Sequence, residues 1–250
     1  MAFKEIIVYL DPTHDSSNRL KFAVGMAASH GARLIGVDAC TRLAFEEPWR
    51  DRSEALPDVF ETAIKQAGVK GIFRASYSPH YADLIIASQV EDDARPLVVP
   101  GIPEDVLVSA GVPVMLFPYG FTPRPVGESI IIAWKASREA TRAVHDALPL
   151  LRKALTVTVF TFAPGTDASG KEPDLLVDHL KEHGVTAKAS RWTDTGEISA
   201  VEALFASLDY QDADMVVAGA YGHSRWAESL FGGVSHALVR QPSLPVFLSH

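Results

Sequence analysis

The sequence predicts an α/β protein made of two tandem domains, each built on a parallel sheet. Three observations predict it. Short runs that are apolar on both faces alternate with amphipathic segments, the pattern of strands buried under crossover helices. The same pattern restarts at residue 129, at an offset of 124 residues from the first copy. With 47% hydrophobic and 22% charged residues among 250, the chain has the material for packed cores, which excludes a disordered tail or a collagen-like repeat.

The first run, Ile6-Ile7-Val8-Tyr9-Leu10, reads as a strand, and Asp11-Pro12-Thr13-His14-Asp15-Ser16 as the loop that follows. Leu20, Val24, Ala27 and Ala28 mark the buried face of the next helix, with Ser16 and Ser17 as candidate caps and Gly31 as its stop. The second strand covers Leu34 to Ala39. In the second copy Ser129-Ile130-Ile131-Ile132-Ala133-Trp134-Lys135 lies against Glu5-Ile6-Ile7-Val8-Tyr9-Leu10-Asp11, Val144 falls on Leu20, and Ala147 on Ala23. Its second strand is Val157 to Phe162. Two later anchors repeat in order: Ala82-Asp83 with Ala213-Asp214, and Val112-Pro113 with Leu244-Pro245, each ahead of an apolar run. Each copy thus has five strands separated by helices, with one difference. A helix over residues 198–208, between the strand near Ala187 and the one at Met215, has only Tyr77-Ser78-Pro79-His80-Tyr81 opposite it in the first copy. The expected domains are 1–120 and 129–250, with the proline- and glycine-bearing stretch 121–128 as linker.

A net charge of −8 and the lack of a local basic patch disfavour nucleic acid. The longest apolar stretch, Val106 to Phe117, is too short for a bilayer and is interrupted by Gly111 and Pro113, so no membrane partner is expected. The single Cys40 suits a reducing compartment, and no signal peptide is evident at the N-terminus. A cytoplasmic location is the expectation.

The chemistry-bearing stretch runs from Asp214 to the end. A buried strand reaches Gly219, a loop holds Gly222, and Gly232-Gly233 opens a helix running to about Arg240. Glycines allow close backbone approach, and a helix start offers unpaired N–H groups with partial positive charge, which together make an anion cradle. At these residues the chain resembles the universal stress protein family, over essentially its whole length as a tandem pair. Gly219, Gly222 and Gly232 stand at the spacings of the family's nucleotide-binding members.

The resemblance implies doubly wound, five-stranded parallel sheets of order 3-2-1-4-5, with a ligand cleft where the first and fourth strands part. It implies a ligand sensor that takes ATP or a related adenine nucleotide, with Mg, in the C-terminal domain. The implied contacts are Ala133, Trp134 and Lys135 after the first strand, and Ala218, Gly219, Gly222, His223, Gly232, Gly233, Val234 and Ser235 around the fourth. Two positions depart from the family pattern: Gly233 stands where a phosphate-binding hydroxyl is expected, with Ser235 two residues on, and Lys135 stands where an acid is common. In the N-terminal copy Asp11 keeps that acid, but the glycine loop has become a stretch carrying Glu91, Asp92 and Asp93, with only Gly101 near a phosphate position. Those carboxylates repel phosphate, so this copy is expected to bind no triphosphate. No catalytic residue is assigned; weak ATP hydrolysis is the most expected of the chain, with His223 as its candidate base. The resemblance also implies an internal pseudo-dimer of the two domains through Val112 to Phe117 and Pro245 to Ser249, and allows a homodimer. The alternative is an interaction protein whose clefts take no nucleotide. Trp134 is expected to close the core and Trp226 to act as a loop lid.

Two motif matches carry less. Gly165-Thr166-Asp167-Ala168-Ser169-Gly170-Lys171-Glu172 misses the phosphate-loop pattern at its last position, where a carboxylate replaces the magnesium-binding hydroxyl. His179-Leu180-Lys181-Glu182-His183 fits the H-x-x-E-H pattern, but Leu175, Leu176 and Leu180 share its arc, so the face is expected to pack on the sheet and hold no metal.

Overall fold

The computed structural model describes residues 2–11, 15–39, 54–89, 110–122, 124–164, 171–194, 198–220, 232–240 and 243–250. The chain divides into two compact units, Met1–Pro123 and Arg124–His250.

In the first unit β1 (Glu5–Leu10), β2 (Arg33–Asp38), β3 (Gly71–Arg74), β4 (Leu84–Ser88) and β5 (Val114–Phe117) line up as β3-β2-β1-β4-β5, every neighbour parallel. Ile7 lies level with Ile35 on one side and Ile85 on the other, so the centre of β1 is enclosed by apolar neighbours. That is why the run needs no polar alternation. Helix α1 (Asp15–His30) buries Leu20, Ala23, Val24 and Ala27, while Ala28 is exposed, one position too far round the helix to reach the sheet. It stops at Gly31, whose φ of +60° lets the Ala32 amide turn back to the Ala27 carbonyl at 2.9 Å. Helix α2 (Leu56–Ala67) starts with Pro57 in its first turn and ends at left-handed Gly68. Between β3 and β4 there is only a three-residue 3₁₀ turn, Pro79–Tyr81, where the sequence lacks a helix.

In the second unit β6 (Ser129–Ala133), β7 (Thr156–Pro164), β8 (Ala187–Asp194), β9 (Met215–Gly219) and β10 (Val246–Ser249) are ordered β10-β9-β6-β7-β8, the same local 3-2-1-4-5 arrangement. Helices α3 (Arg138–Leu151), α4 (Glu172–Glu182), α5 (Ala200–Tyr210) and α6 (Gly232–Arg240) connect them. Helix α5 occupies the interval left to the short turn in the first unit. It is held at its start by a reciprocal cap, in which the Ser199 hydroxyl accepts from the Glu202 amide and the Glu202 carboxylate accepts from the Ser199 amide.

The repeated Ala-Asp anchor has the same physical task in each unit. The Asp83 carboxylate accepts from the amides of Lys4 and Glu5 at 2.6 and 3.0 Å, and the Asp214 carboxylate accepts from Gly127, Glu128 and Ser129 at 2.8, 2.9 and 3.0 Å. Each aspartate satisfies amides at the start of its unit's first strand, and so ties that strand to the fourth.

Candidate functional site

The site in the second unit starts from the point where β6 and β9 part. Their registers bring Ala133 beside Ala218 at the carboxyl ends, the position where open α/β sheets bind ligands. Helix α3 begins just beyond, capped by the Ser137 hydroxyl, which accepts from the Ala140 amide at 3.2 Å. Gly219 has to be glycine for packing alone: a Cβ there would lie 2.6 Å from the Ala140 nitrogen and 2.7 Å from the Glu139 carbonyl carbon. Ser235, in the first turns of α6, donates its hydroxyl to the Gly219 carbonyl at 3.0 Å and so joins that helix to the end of β9. Gly232 and Gly233 open α6, with Gly233 exposed and Val234 half-buried, and Lys135 is exposed beyond β6. Gly222, His223 and Trp226 lie outside the described residues, as do the stretches 165–170 and 90–109 with Glu91, Asp92, Asp93 and Gly101.

Trp134 differs from expectation. It is half-buried and forms a wall of a cavity of about 400 Å³ rather than closing the core. Ala136, Thr141, Val144, Leu175 and Leu176 complete the apolar part of that wall, with Glu172, His145 and His179 also on it. The indole Nε1 is shut off from solvent and has no hydrogen-bond partner among the described residues. The physical reason is geometric: residue 134 follows the last residue of β6, its amide still bonded to the Phe160 carbonyl of β7 at 2.8 Å, and its side chain shares the cavity wall with residues of α3 and α4.

At the corresponding strand ends of the first unit a charged pair is buried. Asp11 and Arg19 form a buried ion pair, with side chains 5% and 3% exposed. The same guanidinium donates to the Tyr9 carbonyl at 2.8 Å and to the Ser88 hydroxyl, so one side chain bridges the ends of β1 and β4. The Ser16 hydroxyl, read as a cap, instead accepts from the Asp11 amide at 3.1 Å.

A cluster that the sequence reading missed lies on the helices of the second unit. His179 does not face the sheet: Leu176 and Leu180 are 5% and 0% exposed, whereas Leu175 is 65% exposed and His179 is exposed beside it. The buried stripe is narrower than the apolar arc because Leu175 turns to the cavity. His179 and His183 stand one helical turn apart, and His145 from α3 joins them, its Nε2 lying 3.0 Å from Nε2 of His179. Loss of surrounding water and the neighbouring His179, Arg152 and His145 hold the His183 imidazole below its ordinary range, with Glu182 acting the other way. The i, i+4 pair was visible in the sequence, but nothing there indicated the facing histidine.

No family model matches the chain, and no curated protein matches it. Solved structures do. A universal stress protein from Archaeoglobus fulgidus DSM 4304 superimposes with a TM-score of 0.74 at 16% identity, covering 98% of this chain and 95% of that one. A protein from Pseudomonas aeruginosa UCBPP-PA14, named as a universal stress protein, gives 0.62 at 18% identity over 99% and 93%. The cytoplasmic domain of a prokaryotic cation chloride cotransporter gives 0.56 at 13% identity over 99% and 95%. The chain therefore has the fold of the universal stress proteins, in tandem form. Among the described residues no helix is long and apolar enough to cross a membrane.

Proposed function

We propose that the chain is a ligand sensor that binds one adenine nucleotide, in its second unit. The observation that carries this reading is the cavity beside Trp134. Its volume of about 400 Å³ lies in the range of small-molecule sites, and its walls are mostly apolar with a few polar groups, as a base pocket requires. The phosphates would extend over the strand ends at Ala133 and Ala218 toward the amides at the start of α6, where Gly232 and Gly233 leave the backbone open to approach. Lys135 supplies positive charge in place of the acid common in the family, which suits phosphate rather than ribose contact. Mg is the companion ion of such a triphosphate.

Titration of the full chain with ATP and MgCl₂ by calorimetry tests the reading. Binding is expected, with Trp134→Ala weakening it at least tenfold. Absence of heat at millimolar nucleotide, or unchanged affinity in Trp134→Ala, would contradict it. One observation favours a second reading, an interaction protein that takes no nucleotide: the contact of Gly219 with Ala140 accounts for that glycine without any ligand. The same titration separates the two.

A further inference from the structure

We propose that His145, His179 and His183 form a binding site for a zinc-class divalent transition ion, fastening α3 to α4. The site is independent of the nucleotide reading above and holds whether or not that reading does.

One ligand atom from each of the three side chains lies within 4.8 Å of the other two. The ring centroids are 5.3 Å apart for His145 and His179, 6.0 Å for His145 and His183, and 4.6 Å for His179 and His183. Two histidines at i, i+4 on a helix present their rings to the same side, the spacing that helical zinc sites use. Here the third ring comes from a neighbouring helix, so the three donors surround a point instead of lying along a line. Zinc takes imidazole nitrogen at about 2.0–2.1 Å, commonly with three protein ligands and one open position. His145 and His179 are exposed and His183 is half-buried, so an ion can reach the rings from solvent.

The surroundings suit a metal more than a purely structural contact. Three imidazoles gathered at a surface cost side-chain entropy, and protonating more than one of them would set like charges against each other. A bound cation turns that crowding into coordination, and an all-imidazole donor set favours zinc and its late first-row neighbours over magnesium or calcium. The Arg152 guanidinium beside the cluster is engaged, its Nε donating to the His183 carbonyl at 2.8 Å, which also fixes the backbone of that ligand. Glu182 adds negative charge near His183. His145 and His179 are also part of the wall of the Trp134 cavity, so an ion here would tie together the two helices that frame it.

Calorimetric titration of the full chain with ZnCl₂, in the absence of nucleotide, tests the site. One ion per chain is expected, with H145A and H179A each weakening binding at least tenfold, and His80→Ala, in the first unit, leaving it unchanged. Zinc is also expected to raise the thermal unfolding midpoint of the wild-type chain and not that of H145A. Circular dichroism of the variants verifies that they fold; the replaced side chains at 145 and 179 are exposed. No zinc binding by the wild-type chain, or H145A binding zinc as the wild type does, would overturn the proposal.

Discussion

Arg19 ties together the strand ends of the first unit. At the end of the first strand the guanidinium satisfies Asp11, the Tyr9 carbonyl and Ser88. Removing one partner of a buried charge pair leaves the other uncompensated, which costs about 3–5 kcal/mol. Arg19→Ala is therefore expected to lower the unfolding free energy by roughly that much in urea denaturation, and replacing both partners with apolar residues (Asp11→Leu with Arg19→Met) to recover most of the loss. A loss below about 1 kcal/mol for Arg19→Ala would show that the pair contributes no more than an exposed one. At this scale the sequence showed Asp11 as a retained acid, but not its partner. Residues 11 and 19 are both in the opening strand-loop-helix stretch, yet only the folded backbone shows that a side chain from the second turn of α1 reaches past the loop to the strand ends.

Among the elements, strands and helix ends were the most readable parts of the chain. β1 and β6 are continuous apolar runs because both faces are covered, and Gly31 and Gly184 end their helices with φ of +60° and +76°. Helix faces were harder. Ala28 and Leu175 both look apolar in sequence and both are exposed, since hydrophobic type alone does not say where the edge of the buried stripe falls. The start of α5 shows a finer effect. Glu202 accepts from the Ser199 amide and hydroxyl, and these bonds hold its carboxyl below the ordinary carboxylate value, outweighing a small opposing desolvation. A carboxyl whose folded value is depressed stabilises the fold fully above its unfolded value, and that contribution is lost as pH falls through the folded one. The thermal midpoint difference between wild type and Glu202→Ala should therefore be larger at pH 6 than near pH 3. A difference independent of pH would show that the charge of Glu202 is not what holds the cap.

For the whole molecule, the repeat was the most informative feature, because matched anchors fix the order of elements and the sheet order follows from the resemblance. The two copies keep one scaffold, down to the aspartates at 83 and 214 that tie the first strands in place. They differ at the carboxyl ends of the strands: one buries an ion pair there, and the other has a cavity beside Trp134. That contrast was only half readable. The acidic run at residues 91–93, which carries the expectation of a first copy without triphosphate, lies outside the described residues, and the cavity depends on how α3 and α4 stand over the end of β6, which no local pattern encodes. Native mass spectrometry of the intact chain with saturating ATP and Mg tests this asymmetry by counting bound nucleotides directly. One nucleotide per chain is the predicted result, and two per chain, or none, would contradict it.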